Sequence, residues 1–254
     1  MLSAALLKKD TSMAKSTTSA IILCGGLGTR LSAITNNKPK PMVDVAGVPF
    51  LEYQFNYLIA QGVTRAILAV SHLKECIIDH FGSQYKTLNI EYVSEDSPLG
   101  TGGAIKNVLS QAEFQPNESI VILNGDTFVE FSLQALAKDS EDHLLVIAAK
   151  SVDDTARYGK ITIDNSKIVT GFQEKKAGNQ GYINAGVYMT HSGLLAALPD
   201  LERFSFEEDF LHHEIAHRSI GASFLDGFFI DIGIPEDYYA FCDLMGSGKI
   251  QCPS

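Results

Sequence analysis

One stretch constrains this chain more than any other: Ala20-Ile-Ile-Leu-Cys-Gly-Gly-Leu-Gly-Thr-Arg-Leu31, followed by Lys38-Pro-Lys-Pro-Met42. An apolar run of isoleucine and leucine reads as a buried strand. It breaks at Gly25-Gly26-Leu27-Gly28, where the backbone reaches conformations closed to other residues. Successive glycines leave N–H groups uncovered, and such a turn cradles phosphate. Arg30 and Lys40 set two cations beside it, and Pro39 and Pro41 restrict the backbone that presents the lysine. Strand, bare turn and two cations form a site for a polyanion, with a nucleoside triphosphate the obvious candidate.

Two other glycine-turn chemistries fit less well. The dinucleotide fingerprint needs a third glycine where Leu31 stands, and an acid after the next strand, Ala66–Val70, where Ser71-His72 follow. The P-loop needs Lys-Ser or Lys-Thr directly after its last glycine, and Thr29-Arg30 stand there. A turn that merely joins strand to helix is the simplest alternative, and the two cations weigh against it.

A chain of 254 residues, 45% hydrophobic and 20% charged, is that of a globular α/β domain. The net charge of −10 argues against a nucleic-acid groove or an anionic membrane as partner. It also means that an anionic substrate requires cations concentrated in one place, or a metal. Cys24, Cys76, Cys242 and Cys252 have neither metal-ligand spacing nor a disulfide framework, as expected of reduced thiols in a cytoplasmic enzyme. Residues 1–19 read as a flexible extension, with Met13 a candidate original start; deleting residues 2–12 should change neither activity nor melting temperature.

Along the chain, strands alternate with helices. Pro49 opens a helix carrying Leu51, Phe55, Leu58 and Ile59, Leu73–Phe81 forms a second, and Thr101 opens a third after Ile90–Val93. Ser119–Asp126 is the clearest buried strand, ending in Gly125-Asp126 at the carboxyl end, where ligands bind in open α/β sheets. Helix Ser132–Lys138 and strand His143–Lys150 follow. The alternation predicts a doubly wound, mainly parallel, Rossmann-like sheet with helices on both faces. The rhythm then changes to a hairpin over Lys160–Ile163 and Ile168–Phe172, a small subdomain. Leu194–Leu198 and Glu207–Arg218 read as helices. His213 and His217 on the latter lack an evident third ligand and read as an exposed face. Phe228–Asp231 is the last strand, and Glu236–Leu244 the last helix.

GGLGTRL and KPKPM resemble the sugar-phosphate nucleotidylyltransferase family. The similarity continues through Leu99-Gly-Thr-Gly-Gly-Ala-Ile105, Leu123-Asn-Gly-Asp126, Gln173-Glu-Lys175, Gly181-Tyr-Ile-Asn-Ala-Gly-Val187 and Phe229-Ile-Asp-Ile-Gly-Ile-Pro-Glu236, in family order over nearly the whole chain. The resemblance is strongest to the branch that uses GTP and D-glycero-α-D-manno-heptose 1-phosphate. It implies a nucleotide half over about 20–150 and a sugar-phosphate half over about 151–254.

The resemblance also implies roles. Leu23, Gly25, Gly26, Gly28, Thr29, Arg30, Gly100 and Thr101 would surround the nucleotide, with the glycines of the second loop laying backbone groups along the base. A carboxylate there accepts both N1–H and the N2 amino group of guanine, so Glu95, or Asp96 failing it, is the base reader. Asp126 and Asp231 would ligate Mg²⁺. Gly125, Gly159, Glu174 and Asn184 would meet the sugar. Lys175 would hold its phosphate, with Lys176 pointing elsewhere. Arg30, Lys40, Asp126 and Lys175 would carry catalysis. A homodimer is one assembly open to such an enzyme. The alternatives are a mannose 1-phosphate guanylyltransferase, a glucose 1-phosphate uridylyl- or cytidylyltransferase, or a silent paralogue that only binds nucleotide sugar. A paralogue of that kind would be expected to have lost Arg30, Lys40 or an aspartate.

Overall fold

The computed structural model describes residues 18–26, 31–35, 37–173 and 180–250. In chain order, the first half runs β1 (Thr18–Leu23), α1 (Ser32–Thr35), a 3-10 turn at Lys40–Met42, β2 (Asp44–Val45), β3 (Val48–Pro49), α2 (Phe50–Ala60), β4 (Arg65–Val70), α3 (Lys74–Phe81), β5 (Gln84–Tyr85), β6 (Leu88–Ser94), α4 (Gly100–Gln111), β7 (Ser119–Asn124), β8 (Thr127–Val129) and α5 (Leu133–Asp139). The second runs β9 (Leu145–Val152), β10 (Lys160–Ile163), β11 (Val169–Gln173), β12 (Gly181–His191), a 3-10 turn at Ser192–Ala196, a π turn at Phe206–Leu211, α6 (His212–Glu214), a 3-10 turn at Ile215–His217, β13 (Ile220–Leu225), β14 (Phe229–Asp231) and α7 (Pro235–Gly246).

The parallel centre of the main sheet is β7-β1-β4-β6. β7, β1 and β4 are buried on both sides, which is why they read as unbroken apolar runs, whereas β6 alternates buried and exposed residues. Alternate residues feed opposite cores. Ala20 and Ile22 pack with Leu51, Phe55 and Leu58 of α2 and Ile77 of α3. Ile21 packs with Ile105 and Val108 of α4 and with Phe204, Phe206 and Phe210. A third cluster joins Val43, Phe50, Tyr53, Phe128, Ile230, Ile232 and Phe241, fastening α7 over β8 and β14.

Antiparallel strands extend the sheet beyond β7. β12 pairs with β7 and with β9, and β13 runs parallel to β9. The hairpin expected over 160–172 forms as β10 and β11, and Ile161 pairs with Tyr182 of β12, so it continues the edge of the same sheet.

Some sequence boundaries shift. Pro49 ends β3 and caps α2 instead of opening the helix, because its extended ψ of 140° cannot enter one. Ser132 likewise lies outside α5 and caps it, its hydroxyl accepting from Ala135 N–H at 3.2 Å. The segment read as one helix over Glu207–Arg218 opens with a π turn, ends in 3-10 geometry, and stops at Arg218, whose φ is 54°. The wide turn collects the buried Phe206, Phe210 and Leu211 on one side. β8 and β13 were not anticipated; β8 is three residues long, too short for a periodicity.

Candidate active site

The carboxyl ends of β1, β6 and β7 open into a cavity of about 380 Å³. Leu23, Gly25, Gly26, Lys40, Glu95, Gly100, Thr101, Gly125 and Asp126 line it, together with Cys24, Pro41, Pro98, Ala104 and Asn124. Nine positions singled out from sequence therefore share one wall. Gly159, Asn184 and Asp231 are not on that lining. Gly28, Thr29, Arg30, Glu174, Lys175 and Lys176 lie outside the described residues, as do residues 1–17 of the extension read over 1–19; its last two residues, Thr18 and Ser19, instead begin β1, with Ser19 buried.

The floor is stitched by backbone bonds that outlast the strands. Cys24 N–H donates to Ala69 C=O at 2.8 Å, and Gly125 N–H to Leu23 C=O at 3.1 Å. Lys40 sits in the 3-10 turn that Pro39 caps, only 8% exposed. Its Nζ meets Asp126 Oδ2 at 2.7 Å, closing a separation of 86 residues. A buried ammonium is tolerable because this carboxylate partners it. Asp231 comes to the same turn from the far end of the chain. It pairs with Thr127 in the β14–β8 ladder, and Ile232 N–H donates to Asp126 C=O at 2.9 Å. Gly233 N–H donates to Asp231 Oδ1 at 2.6 Å.

Asp126 and Asp231 are hard oxygen donors, a set that fits Mg²⁺ rather than softer metals. A different set gathers after the π turn, where Glu214 brings a third ligand atom to His213 and His217, all within 4.8 Å of one another. His213 and His217 are exposed, as the sequence suggested.

Glu95 extends from the end of β6, its N–H on Val70 C=O at 2.9 Å. Its Oε2 accepts from Leu99 N–H at 3.3 Å, and its Oε1 lies against Gly25. Burial pushes its carboxyl above the usual 4.5, and the Leu99 bond opposes the rise. Asp96, the fallback, is exposed and not on the lining. Cys24 is buried in the wall; desolvation, then the Asp126 charge, push its thiol far up, so it holds its proton.

The second glycine loop departs from expectation. Gly102 and Gly103 do not offer free N–H groups to a base. Both donate to Phe204 C=O, at 3.0 and 3.4 Å. Side chains there would collide with the passing 202–204 segment: a Cβ on Gly102 would lie 2.2 Å from the Phe204 ring, and one on Gly103 2.4 Å from Glu202 C=O. These glycines serve packing, while Gly100, Thr101 and Ala104 face the cavity.

Sequence reasoning missed Gln54. Its Nε2 donates to Asn124 C=O and Thr127 C=O, both at 2.8 Å, so one side chain braces the Gly125-Asp126 turn from both flanks. Its Oε1 is buried with no partner among the described residues. The signal was present: a glutamine among Leu51, Phe55 and Leu58 on the apolar face of α2. Also missed was Arg157, whose guanidinium grips Asp237 in the first turn of α7; it joins the stretch before Gly159 to the helix following Asp231. Gly159 itself has φ of 79°, its N–H on Thr155 C=O at 3.0 Å.

An α/β fold that brings a glycine turn, a buried lysine and an aspartate to the strand ends of its main sheet, with a second aspartate on the adjoining β14–β8 ladder, is that of a nucleotide-binding transferase. Residues 19–245 match the nucleotidyl transferase family model, and the chain belongs to that family. It is 44% identical over 222 residues to a D-glycero-alpha-D-manno-heptose 1-phosphate guanylyltransferase of Campylobacter jejuni, covering 87% of this chain and 97% of that one. It is 40% identical over 224 residues to the protein of the same name from Aneurinibacillus thermoaerophilus, covering 86% and 94%. The structure of HddC from Yersinia pseudotuberculosis complexed with GMP-PN is 38% identical, with a TM-score of 0.78 over 89% of this chain and 99% of that one.

Proposed function

We propose that this protein transfers GMP from GTP to D-glycero-α-D-manno-heptose 1-phosphate, releasing pyrophosphate. One observation carries the reading: a single cavity where the glycine turn, the Lys40–Asp126 pair and Glu95 meet. Relatives named for that reaction support the choice of substrates.

The nucleophile is a sugar-phosphate oxygen. Its second pKa is roughly 6, so it is already largely ionised at neutral pH and needs no general base. The protonated Cys24 is no competing nucleophile. What remains is to align two anions and quench their repulsion. Lys40, buried at the cavity wall, counters charge that builds at the α-phosphorus. Arg30 and the N–H groups of Gly25, Gly26, Gly28 and Thr29 hold the departing pyrophosphate. Lys175 holds the incoming phosphate, and Gly125, Gly159, Glu174 and Asn184 the sugar. Leu23, Gly100 and Thr101 enclose the nucleoside, while Glu95 accepts from guanine N1–H and N2. Asp126 and Asp231 would hold Mg²⁺, which when bound neutralises phosphate charge. The four dispersed cysteines of the sequence support a cytoplasmic setting for the enzyme. No helix among the described residues is long and apolar enough to cross a membrane.

Pyrophosphate release tests this, with four nucleoside triphosphates crossed against manno-heptose, mannose and glucose 1-phosphates. The pairing of GTP with the heptose should give the highest kcat/KM. A higher value for another pairing overturns the substrate assignment, and no release with any pair overturns the enzyme.

A further inference from the structure

A hydrogen-bonded relay runs from β12 to the π turn and on to α4. Asn184 Nδ2 donates to Tyr188 Oη at 2.8 Å, and Tyr188 Oη donates to Glu207 Oε1 at 2.9 Å. Thr101 Oγ1 donates to Glu207 Oε2 at 3.3 Å and accepts from Phe206 N–H at 2.8 Å. Tyr188 is fully buried.

The backbone is bent to make the first link. On a straight strand, residues 184 and 188 stand about 13 Å apart. Here Asn184 pairs with Ala149 and Tyr188 with Ile147, so three residues of β12 bulge opposite one of β9. Gly186, with φ of 70°, forms the bulge, and a Cβ on it would come within 2.7 Å of Asn124 Nδ2 on the cavity wall. Bulges of this kind re-aim side chains beside sites.

The relay has a fixed direction. An ionised carboxylate only accepts, so Glu207 obliges Tyr188 and Thr101 to donate to it. Tyr188 must then accept, which turns the amino end of Asn184 towards it. The other end agrees, since Gly186 N–H donates to Asn184 Oδ1 at 3.0 Å. The amide is thereby locked with one N–H and one lone pair left for a ligand. Burial, then the neighbouring Glu207 charge, push the Tyr188 phenol well above its ordinary value and keep it a donor.

We infer that Tyr188 and Glu207 are positioning residues that set the Asn184 amide for the hydroxyls of the sugar 1-phosphate and tie it to Thr101 on the nucleotide wall. This rests on the proposed function insofar as Asn184 meets the sugar. The test is a double-mutant cycle on the full chain, read as KM for the heptose phosphate alongside kcat, KM for GTP and melting temperature. Asn184→Ala, Tyr188→Phe and Glu207→Gln should each raise the sugar-phosphate KM about tenfold, one hydrogen bond's worth. Tyr188→Phe added to Asn184→Ala should raise it less than about twofold further, because both break one unit. Unchanged sugar-phosphate KM in Tyr188→Phe and Glu207→Gln, with Asn184→Ala impaired, overturns the relay and leaves the site reading intact. Independent, multiplying effects in the double variant also overturn it. An unaffected Asn184→Ala removes the site reading itself, and the relay's role with it. Should Tyr188→Phe fold poorly, Glu207→Gln paired with Asn184→Ala carries the same cycle.

Discussion

Lys40 is the residue on which most depends, because it is a buried cation whose observed partner is Asp126. Lys40→Ala should lower kcat by on the order of a hundredfold or more, measured by pyrophosphate release at saturating substrates. Near wild-type turnover would remove it from the chemistry. Its importance was legible from the proline brace; its pairing with Asp126 was not, since nothing local in sequence joins positions 86 apart. Glu95 allows a pH prediction. Its carboxyl is raised above 4.5, so on acidification it is neutralised before ordinary glutamates. The KM for GTP should therefore climb as pH falls towards the carboxylate range, and Glu95→Gln should abolish that climb while raising KM for GTP at neutral pH. Stability runs the other way. A carboxyl raised in the folded state costs nothing below the ordinary value, and the cost develops as pH rises through the raised one. Gln54 stood out in sequence, yet its role was not legible, because a single polar position on an apolar helix face has many explanations. Its brace on both carbonyls supplies one.

At the scale of elements, the buried parallel strands were the most readable, since burial on both faces leaves a continuous apolar signal. Capping residues were read as helix openings, an error of one position that arises because caps and first-turn residues share chemistry. The π turn was unreadable; just before it, Phe204 C=O accepts from Gly102 and Gly103 N–H of α4. That contact yields a prediction. Gly102→Ala should destabilise the protein by about 1–3 kcal/mol in urea unfolding, because the added methyl meets the Phe204 ring inside a packed core. An unchanged midpoint would mean that the 202–204 segment is free to move away.

Across the whole molecule, the charge of −10 sets the problem that the site answers: an acidic protein must hold two polyanions. The site draws its parts from strand ends scattered along the chain, and the third core keeps the last of them in place. Phe241 is fully buried there, its ring against Phe50, Tyr53, Phe128 and Phe228. Phe241→Ala should cost about 3–5 kcal/mol by denaturant unfolding. It should also raise the Mg²⁺ concentration needed for half-maximal activity, since it loosens β14 and Asp231 relative to Asp126. A destabilised variant with unaltered Mg²⁺ dependence would separate the core from the site. This arrangement could not be seen from sequence beyond the expectation that both aspartates end strands.

The ladder between β8 and β14 bridges residues made midway and late during synthesis, Thr127 against Asp231. A nascent chain still short of Phe229 would own its lysine, its first aspartate and its glycine turn, yet not the second carboxylate. Translation therefore completes the surroundings of the Asp126 turn last, when β14 closes its ladder on β8.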